Sequence, residues 1–242
     1  MTDALYRLLA WSSPGYPTGA FSYSHGLEWA VEAGSVTNLQ GLLDYVTAVL
    51  SRGGGWIDAV LFAHAWRATC QGAAAREQQA PSTEPTALAT LDDLTALAAA
   101  FRGSSETALE SRQQGAAFLD VTCKAWPHPT LEALALRSAT NNTPVAHCIA
   151  MAAACAAHEI ALKPALYAYL HAVAANLVSA GARLIPLGQT RAQIAIAELS
   201  PTITDIIERA LLTPLDDLGT AAPAVEICSL RHETQYTRLF RS

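Results

Sequence analysis

The chain has 242 residues, of which 51% are hydrophobic and 15% are charged, and its formal net charge is −6. This composition excludes a largely disordered chain, because enough apolar surface is present to build a core. The acidic balance, together with the lack of any run of basic residues, argues against a nucleic-acid-binding protein.

The pattern of the chain also argues against membrane and secreted proteins. Its longest apolar stretch, residues 143–160, is rich in alanine and is interrupted by His147, His158 and Glu159, whereas a membrane-spanning helix needs about 20 apolar residues. No basic region followed by an apolar run stands at the N-terminus, so we expect no secretion signal. The five cysteines are widely spaced and form no disulfide framework. We therefore expect a cytoplasmic protein with no membrane contact.

Apolar residues recur with helical spacing along almost the whole chain. In residues 39–50, for example, they fall at i, i+3, i+4, i+7 and i+11, which is one face of a helix. We predict about ten helices, the last of them broken at Ser200-Pro201: 3–11, 24–33, 38–51, 56–71, 86–101, 105–125, 130–140, 144–158, 164–180 and 189–212. The predicted fold class is all-α, with a single globular domain over residues 1–225.

Three segments fall outside this helical pattern. Residues 71–86 carry polar residues and two prolines, which predicts a mobile loop between helices. Residues 213–225 contain Pro214, Gly219 and Pro223, which indicates a linker. Residues 226–242 would then form a C-terminal tail set apart from the helical domain, and we interpret it as a partner-binding tail.

An N-terminal loop combines turn residues with aromatic ones. Two prolines and two glycines between residues 14 and 19 fix a turn, and Phe21, Tyr23 and Trp29 follow it. These aromatics either cap the core or form an exposed platform for a partner, since tyrosine and tryptophan are favoured interface anchors. A second turn lies at Pro186 and Gly188, where the neighbouring polar residues Arg183 and Gln189 either cap helix ends or face a partner.

The C-terminus has an unusual composition for a chain end. Terminal residues are normally polar and expendable, yet residues 229–242 contain a tyrosine, two leucines, a phenylalanine and three arginines against one glutamate. This composition is typical of interface hot spots. The tail therefore either binds a partner or docks on the acidic body of its own chain.

Motifs that carry chemistry are missing from the sequence. It contains no G-x-S-x-G nucleophile motif and no phosphate-binding loop. Cys155, His158 and Glu159 lie at i, i+3 and i+4 on a predicted helix, and His147, Met151 and Cys155 lie at i, i+4 and i+8. Each set shares a helix face, and its members are either metal ligands or packing residues. We favour packing, because isolated cysteines usually fill space in helical cores. We thus predict no catalytic residue, no resident metal and no tightly bound cofactor.

Taken in order, these segments resemble the urease accessory protein F family. The similarity runs through residues 12–24 and 26–34, then 106–107 and 114–118, and then Arg183-Leu184-Ile185-Pro186-Leu187-Gly188-Gln189. The ending, residues 231–242, is the most specific part. The family often has a second Gly-Gln pair after the proline bend, where this chain has Ala192-Gln193.

The resemblance implies an all-α protein that is not an enzyme. Such proteins dimerise and bind a second accessory protein of the D or H type. Together they recruit the G-type protein, a nickel-carrying GTPase, to apo-urease. The F component is implied to regulate GTP hydrolysis and to promote nickel insertion, so that nickel is handled by the assembled complex.

From the residues and the resemblance together we predict a set of partner-binding residues in the N-terminal loop, the proline bend and the tail. They are Phe21, Tyr23, Glu28, Arg183, Gln189, Arg231, His232, Glu233, Tyr236, Arg238, Leu239, Phe240 and Arg241. Two other functions stay open on the residues alone. One is a nickel-binding storage protein that uses His147, Cys155 and His158, and the other is a small-molecule enzyme with an unrecognised site.

Overall fold

The computed structural model describes residues 2–77 and 87–242, which fold into α-helices and two short 3₁₀ helices with no strand among them. The 3₁₀ helices are Ala20–Ser22 and Leu215–Asp217. The α-helices in chain order are α1 (Thr2–Trp11), α2 (Leu27–Glu32), α3 (Leu39–Arg52), α4 (Gly54–Glu77), α5 (Ala87–Ala100), α6 (Ser105–Ala125), α7 (Pro129–Asn141), α8 (His147–Ala157), α9 (Leu162–Leu184), α10 (Gly188–Ala210) and α11 (Pro223–His232). The predicted all-α fold class is confirmed.

Helix α8 forms the centre of the core. All of its residues from Cys148 to Ala156 are buried, and it packs against α4, α6 and α9. Six alanines in this helix keep its surface smooth, so neighbouring helices approach closely. Gly115 of α6 shows how closely, because a Cβ atom there would lie 1.9 Å from the carbonyl oxygen of Val145.

The fourth helix is longer than the periodicity predicted. It begins at Gly54, inside a run of three glycines, and it continues to Glu77, so residues 71–77 are helical rather than part of a loop. Helix α5 packs along α4 and covers its face. The rest of the predicted mobile loop, residues 78–86, lies outside the described residues.

The predicted break at Ser200-Pro201 is wrong. Helix α10 runs unbroken from Gly188 to Ala210 with Pro201 inside it. Pro201 is exposed, so its ring faces solvent, while Leu199 and Ile203 on either side are buried in the core. Tertiary packing of these flanking residues outweighs the helix-breaking tendency of one proline.

The most important departure concerns the predicted linker. Its last residues begin helix α11, in a stretch where Pro214, Gly219 and Pro223 had indicated a linker. Proline is favourable in the first turn of a helix, where no hydrogen bond needs its missing N–H. Helix α11 packs on α2 and α3 and spans the expected boundary at residue 225. The division into a domain and a tail stays a prediction.

One described helix, α9, is long and apolar enough to cross a bilayer by length and composition. Half of its most apolar window is buried inside the fold, which is also the pattern of a central core helix. Tyr169, Leu170 and Leu177 are among its buried residues, and α9 packs against α10, α8 and α4. We therefore interpret α9 as a core helix.

Candidate partner-binding surface

Residues 233–242, called the C-terminal segment below, lie on the body of the protein and continue from α11. The close approach of α11 to α2 depends on Gly26, whose φ is 78°. A Cβ atom at Gly26 would lie 2.5 Å from the backbone nitrogen of Ser229, so no larger residue fits. The preceding residue, His25, also has a positive φ of 54°, and the Tyr45 hydroxyl donates a hydrogen bond of 2.8 Å to its carbonyl oxygen. Such strain is held in place by the surrounding contacts.

Glu28, in the first turn of α2, holds the C-terminal segment through its carboxylate. The residue is 5% exposed. The backbone N–H groups of Leu239 and Phe240 donate to its two oxygens at 2.7 and 3.0 Å. Its Oε2 also accepts from His232 Nε2 at 3.0 Å. A single buried carboxylate therefore joins the segment and the end of α11.

His232 lies between two carboxylates and is fully buried. While Nε2 faces Glu28, Nδ1 lies 2.7 Å from Glu106 Oε2. Ionised carboxylates only accept hydrogen bonds, so a ring nitrogen that carries a proton donates to the carboxylate that it faces. Glu106 also accepts from Arg238 Nη1 at 2.7 Å. These are charge-assisted hydrogen bonds, the stronger kind in proteins.

Two further contacts join the region around the C-terminal segment to the start of α6. Glu233 accepts from the backbone N–H and the hydroxyl of Ser105 at 2.7 and 2.8 Å. These hydrogen bonds lower the pKa of the Glu233 carboxyl below its usual value. The location suits a carboxylate, because the N-terminus of a helix favours negative charge. Next to it, the hydroxyls of Ser104 and Ser229 are 2.7 Å apart.

The end of the segment reaches a third carboxylate. The Ser24 N–H donates to the Ser242 carbonyl group at 2.6 Å, and the Ser242 hydroxyl lies 3.2 Å from Glu110 Oε2. His25 Nε2 donates to Glu110 Oε1 at 3.0 Å. Burial alone would lower the pKa of His25, but the adjacent Glu110 carboxylate outweighs burial, and the pKa lies above its ordinary value.

Arg183, at the end of α9, links the N-terminal loop with the C-terminal segment. Its guanidinium carbon lies 4.5 Å from the centre of the Phe240 ring, a cation–π contact. One of its nitrogens donates to the Phe21 carbonyl oxygen at 3.2 Å. Phe240 itself is buried, whereas Phe21 is 65% exposed. Arg183 therefore positions both aromatic residues.

Tyr23 is buried although it belongs to the expected recognition surface. Its hydroxyl donates to Gln113 Oε1 at 2.6 Å, and its carbonyl oxygen accepts from Asn176 at 3.2 Å. Burial raises the pKa of the Tyr23 hydroxyl, and the nearby Arg241 partly offsets this effect. Of the two expectations for the loop aromatics, Tyr23 follows the core-capping one and Phe21 the exposed one.

The outward side of this region is apolar and cationic. We define the exposed surface as the large side chains that α11, the C-terminal segment and the loop turn to solvent, together with the exposed arginines beside them: Phe21, Ile227, Leu230, Tyr236, Leu239, Arg231, Arg238 and Arg241. Tyr236 and Leu239 project furthest, with 101% and 74% exposure.

The expected site residues thus divide into two groups. Glu28, His232 and Phe240 are buried where the segment joins the body, and Tyr23 is buried against α6 and α9. The exposed surface lies on the outward side of this region. Gln189 is exposed at the start of α10, and no hydrogen bond within residues 2–77 and 87–242 joins it to the C-terminal segment. The C-terminal segment lies docked on the body of its own chain, which is one of the two arrangements expected for the tail.

Sequence reasoning missed three groups that complete this arrangement. They are Glu106 and Glu110 on α6, which hold His232 and Ser242, and His25, which faces Glu110. The spacing of i and i+4 between the two glutamates was a usable signal, since it places both carboxylates on one helix face.

The residues of the nickel-storage alternative do not meet. His147 begins α8 and His158 follows its end, which puts them about 16 Å apart along the helix axis. Burial raises the pKa of the Cys155 thiol, which disfavours the thiolate that binds metals. No group of three His, Cys, Asp or Glu side chains in the described part of the chain is arranged to hold a metal ion.

Fold and geometry define a class: an all-α protein whose N-terminal loop and C-terminal segment are joined by buried ionic hydrogen bonds. A model of the UreF family matches residues 36–200. A urease accessory protein UreF of Granulibacter bethesdensis is 49% identical over 99% of this chain and 94% of its own length. Those of Bradyrhizobium diazoefficiens and Rhodopseudomonas palustris are 44% and 46% identical, each over 99% of this chain and 92% of their own lengths. The chain belongs to the UreF family of urease accessory proteins.

Proposed function

We propose that this protein is a scaffold for urease maturation with no catalytic activity of its own. It binds a D- or H-type accessory protein and the G-type GTPase, and the complex assembles on apo-urease. There it regulates GTP hydrolysis and promotes nickel insertion. Nickel is the cargo of the assembled complex, and no cofactor is held tightly by this chain.

The exposed surface is the observation that carries this proposal. Tyr236 and Leu239 are almost entirely exposed, yet the backbone beside them is anchored because Leu239 and Phe240 donate to the buried Glu28. An exposed aromatic or apolar side chain on an ordered backbone loses little entropy when a partner covers it. Arginine and tyrosine are also the residues most enriched at interface hot spots.

Family membership supports the choice of urease-maturation partners, because the relatives are named urease accessory proteins. We further propose that the protein forms a homodimer, as the resemblance implies. A cytoplasmic location agrees with its five free cysteines, which oxidising compartments tend to pair. Its acidic charge agrees with protein partners rather than nucleic acid.

A capture experiment tests the proposal. The tagged chain is mixed with the D- or H-type protein, and the dissociation constant is measured for wild type and for the Tyr236→Ala/Leu239→Ala double variant. Removal of one aromatic anchor costs about 2 kcal/mol, so we expect the double variant to bind at least about 30-fold more weakly. Nickel content of co-expressed urease should fall in parallel.

The matched control is Tyr6→Ala/Leu212→Ala, which removes a tyrosine and a leucine that are 66% and 84% exposed on α1 and just after α10. We expect it to bind as wild type does. Equal binding by both double variants would contradict the proposed role of the exposed surface. Turnover of any substrate by the isolated chain would contradict the scaffold proposal itself.

A further inference from the structure

Helix α11 has two faces with different surroundings. Three residues at i, i+4 and i+7 form its inner face and are buried, namely Val225, Ser229 and His232. Three residues at i, i+3 and i+4 form its outer face and are exposed, namely Ile227, Leu230 and Arg231. The helix therefore turns two aliphatic side chains and one cation to solvent as part of the exposed surface.

Three arginines of the exposed surface reach solvent, but only one of them has an ionic partner in its own chain. Arg238 Nη1 donates to Glu106 at 2.7 Å. No ion pair within residues 2–77 and 87–242 joins Arg231 or Arg241 to a carboxylate. Arg241 lies close to the Tyr23 hydroxyl, which is neutral near pH 7 because burial raises its pKa. The charges of Arg231 and Arg241 are therefore available to a partner.

The carboxylates near this surface are engaged with the chain itself. Those that accept hydrogen bonds from its own side chains or backbone are Glu28, Glu32, Glu106, Glu110 and Glu233. One more, Glu226, is half-buried in the first turn of α11, about 7.5 Å along the helix axis from Arg231. Positive charge therefore dominates what the exposed surface turns outward.

The rest of the chain has the opposite charge. Three arginines and one glutamate give residues 229–242 a side-chain charge of +2, which leaves −8 for the remainder of a chain whose total is −6. An acidic molecule that approaches at random is repelled by most of this protein and attracted where Arg231 and Arg241 project. A charge distribution of this kind orients a partner before contact and speeds productive association.

The number of free cations decides which class of partner fits. A protein that holds nucleic acid typically neutralises about 6 to 10 phosphates, and clusters that bind anionic lipid contain about 4 to 8 basic residues. Two free arginines on an acidic body fall short of either number. They suit a protein surface with a few carboxylates, because a guanidinium pairs with a carboxylate through two parallel hydrogen bonds.

We propose that the exposed surface binds an acidic protein partner, whose carboxylates pair with Arg231 and Arg241 and whose apolar cleft receives Tyr236 and Leu239. This inference rests on the proposed scaffold function and adds to it the chemistry of the partner's surface. The two arginines govern the rate of association, and Tyr236 and Leu239 govern the rate of dissociation. The reason is that charges attract at a distance, whereas apolar contacts form only after docking.

The test measures the association and dissociation rate constants of the D- or H-type accessory protein on the full chain, by surface plasmon resonance. Ionic strength is varied from about 0.05 to about 1 M, because the Debye length falls to about 3 Å at 1 M. We expect association with wild type to slow at least about tenfold over this range.

Two double variants separate the charges from the apolar anchors. Association of Arg231→Gln/Arg241→Gln at low salt should be about tenfold slower than that of wild type and nearly independent of salt. Dissociation of this variant should change little. Tyr236→Ala/Leu239→Ala should instead dissociate faster, while its association keeps the salt dependence of wild type.

The matched control is Lys124→Gln/Lys163→Gln, which removes two exposed cations and changes the net charge by the same amount. Lys124 lies about 28 Å along α6 from Ser105, and Lys163 lies about 30 Å along α9 from Arg183, so both are far from the contacts of the C-terminal segment. We expect this control to associate as wild type does. Hydrogen exchange at the Leu239 amide checks that the segment stays docked in the arginine variant.

If that exchange is faster than in wild type, the single variant Arg231→Gln decides, because its side chain has no ionic partner in its own chain. Its association at low salt should be about threefold slower than that of wild type. Unchanged association in Arg231→Gln would then contradict the inference.

The other outcomes distinguish this inference from the proposed function. Wild-type association in the arginine variant, together with weaker binding by Tyr236→Ala/Leu239→Ala, would overturn the inference and leave the proposed function standing. Equal slowing in the arginine and lysine variants would also overturn it, since net charge alone would explain the rates. Arginine-dependent binding of wild type to vesicles of phosphatidylcholine and phosphatidylserine would make the surface a lipid-binding one. If the accessory protein does not bind wild type, the proposed function fails and the inference fails with it.

Discussion

Helix α8 and the C-terminal segment are both fixed to the body of the protein, but by different physical means. Residues 148–156 of α8 are buried among apolar helices, and six of the helix's eleven residues are alanine. Residues 233–242 make few apolar contacts of this kind and depend on hydrogen bonds to Glu28, Glu106 and Glu110. Apolar packing is spread over many atoms, whereas the segment rests on a few buried charges.

Because of this difference, substitutions in the two regions should have different effects on stability. Loss of one core side chain should lower the stability of the whole domain, because its contacts are shared by several helices. Loss of one carboxylate should release the segment and leave the helices folded. Changes of pH should separate the regions again, since burial lowers the pKa of His147 in α8 to about 4, whereas the adjacent Glu110 carboxylate raises the pKa of His25.

The largest effect is expected in the core. Ile149→Ala removes a fully buried side chain from α8 and should lower the free energy of unfolding by about 2–5 kcal/mol. Urea denaturation followed by circular dichroism measures this. Ile194→Ala, on a side chain that is 42% exposed in α10, is the matched control and should cost less than about 1 kcal/mol. Similar losses in both would show that α8 is not the centre of the core.

A smaller and more local effect is expected from Glu28→Ala. It removes three hydrogen bonds at once and leaves His232 beside a single carboxylate, which should weaken attachment of the segment by about 3 kcal/mol. Hydrogen exchange should accelerate at the amides of Leu239 and Phe240, while the helical dichroism is kept. Exchange should be unchanged in Glu198→Ala, which removes an exposed carboxylate on α10. Global unfolding of Glu28→Ala would instead make the segment part of the core.

Acid should act on the core through His147. Its pKa in the fold is about 4, below the ordinary value of 6.5, so the unfolded chain binds the proton more readily. Stability should therefore fall as pH drops from 6.5 toward 4, by about 3 kcal/mol. The free energy of unfolding, measured by urea denaturation at several pH values, should depend less on pH in His147→Phe. It should keep the wild-type dependence in His171→Phe, at an exposed position. An unchanged pH dependence in His147→Phe would assign the acid sensitivity to other groups.

The smallest effect is expected when the pH rises, which should weaken attachment of the C-terminal segment. The pKa of His25 is higher in the folded chain than in the unfolded one. Its contribution to folding stability is therefore fully present below the pKa of the unfolded chain, and it is lost as pH rises through the pKa of the folded chain. Loss of the charge weakens the pair with Glu110, which also meets Ser242. Exchange of the Ser24 amide, which donates to the Ser242 carbonyl group, should therefore accelerate as pH rises more than base catalysis alone explains. His25→Gln should remove that excess.

Several elements were predictable because their signals are local. Helix α6 was expected over exactly the range 105–125 that it occupies, and α3, α5 and α7 differ from expectation by one residue or less at each end. Helix α2 begins later than expected because His25 and Gly26 adopt left-handed conformations that the apolar spacing does not show. Helix α11 was not expected, because Pro214, Gly219 and Pro223 together indicated a linker in this stretch.

The candidate site was predictable in composition but not in geometry. The turn residues, the loop aromatics and the arginine-rich ending all marked the region in which Phe21, Arg183 and Tyr236 lie. The sequence did not indicate which of these side chains is buried and which is exposed. Tyr23 and Phe21 are only two residues apart, yet Tyr23 is buried and Phe21 is exposed. That choice depends on Gln113 and Asn176, which are distant in the chain.

By itself, the sequence determined the fold class, the turn positions and the family, because helical periodicity, prolines, glycines and contiguous motifs are properties of neighbouring residues. Only the tertiary structure decided that Glu28, Glu106 and His232 form one buried ionic cluster, since they are separated by 78 to 204 positions. It also decided that the rings of Trp11 and His147 both pack against Phe118. Such contacts follow from how the helices pack, and side chains that meet through packing leave no periodic signal along the chain.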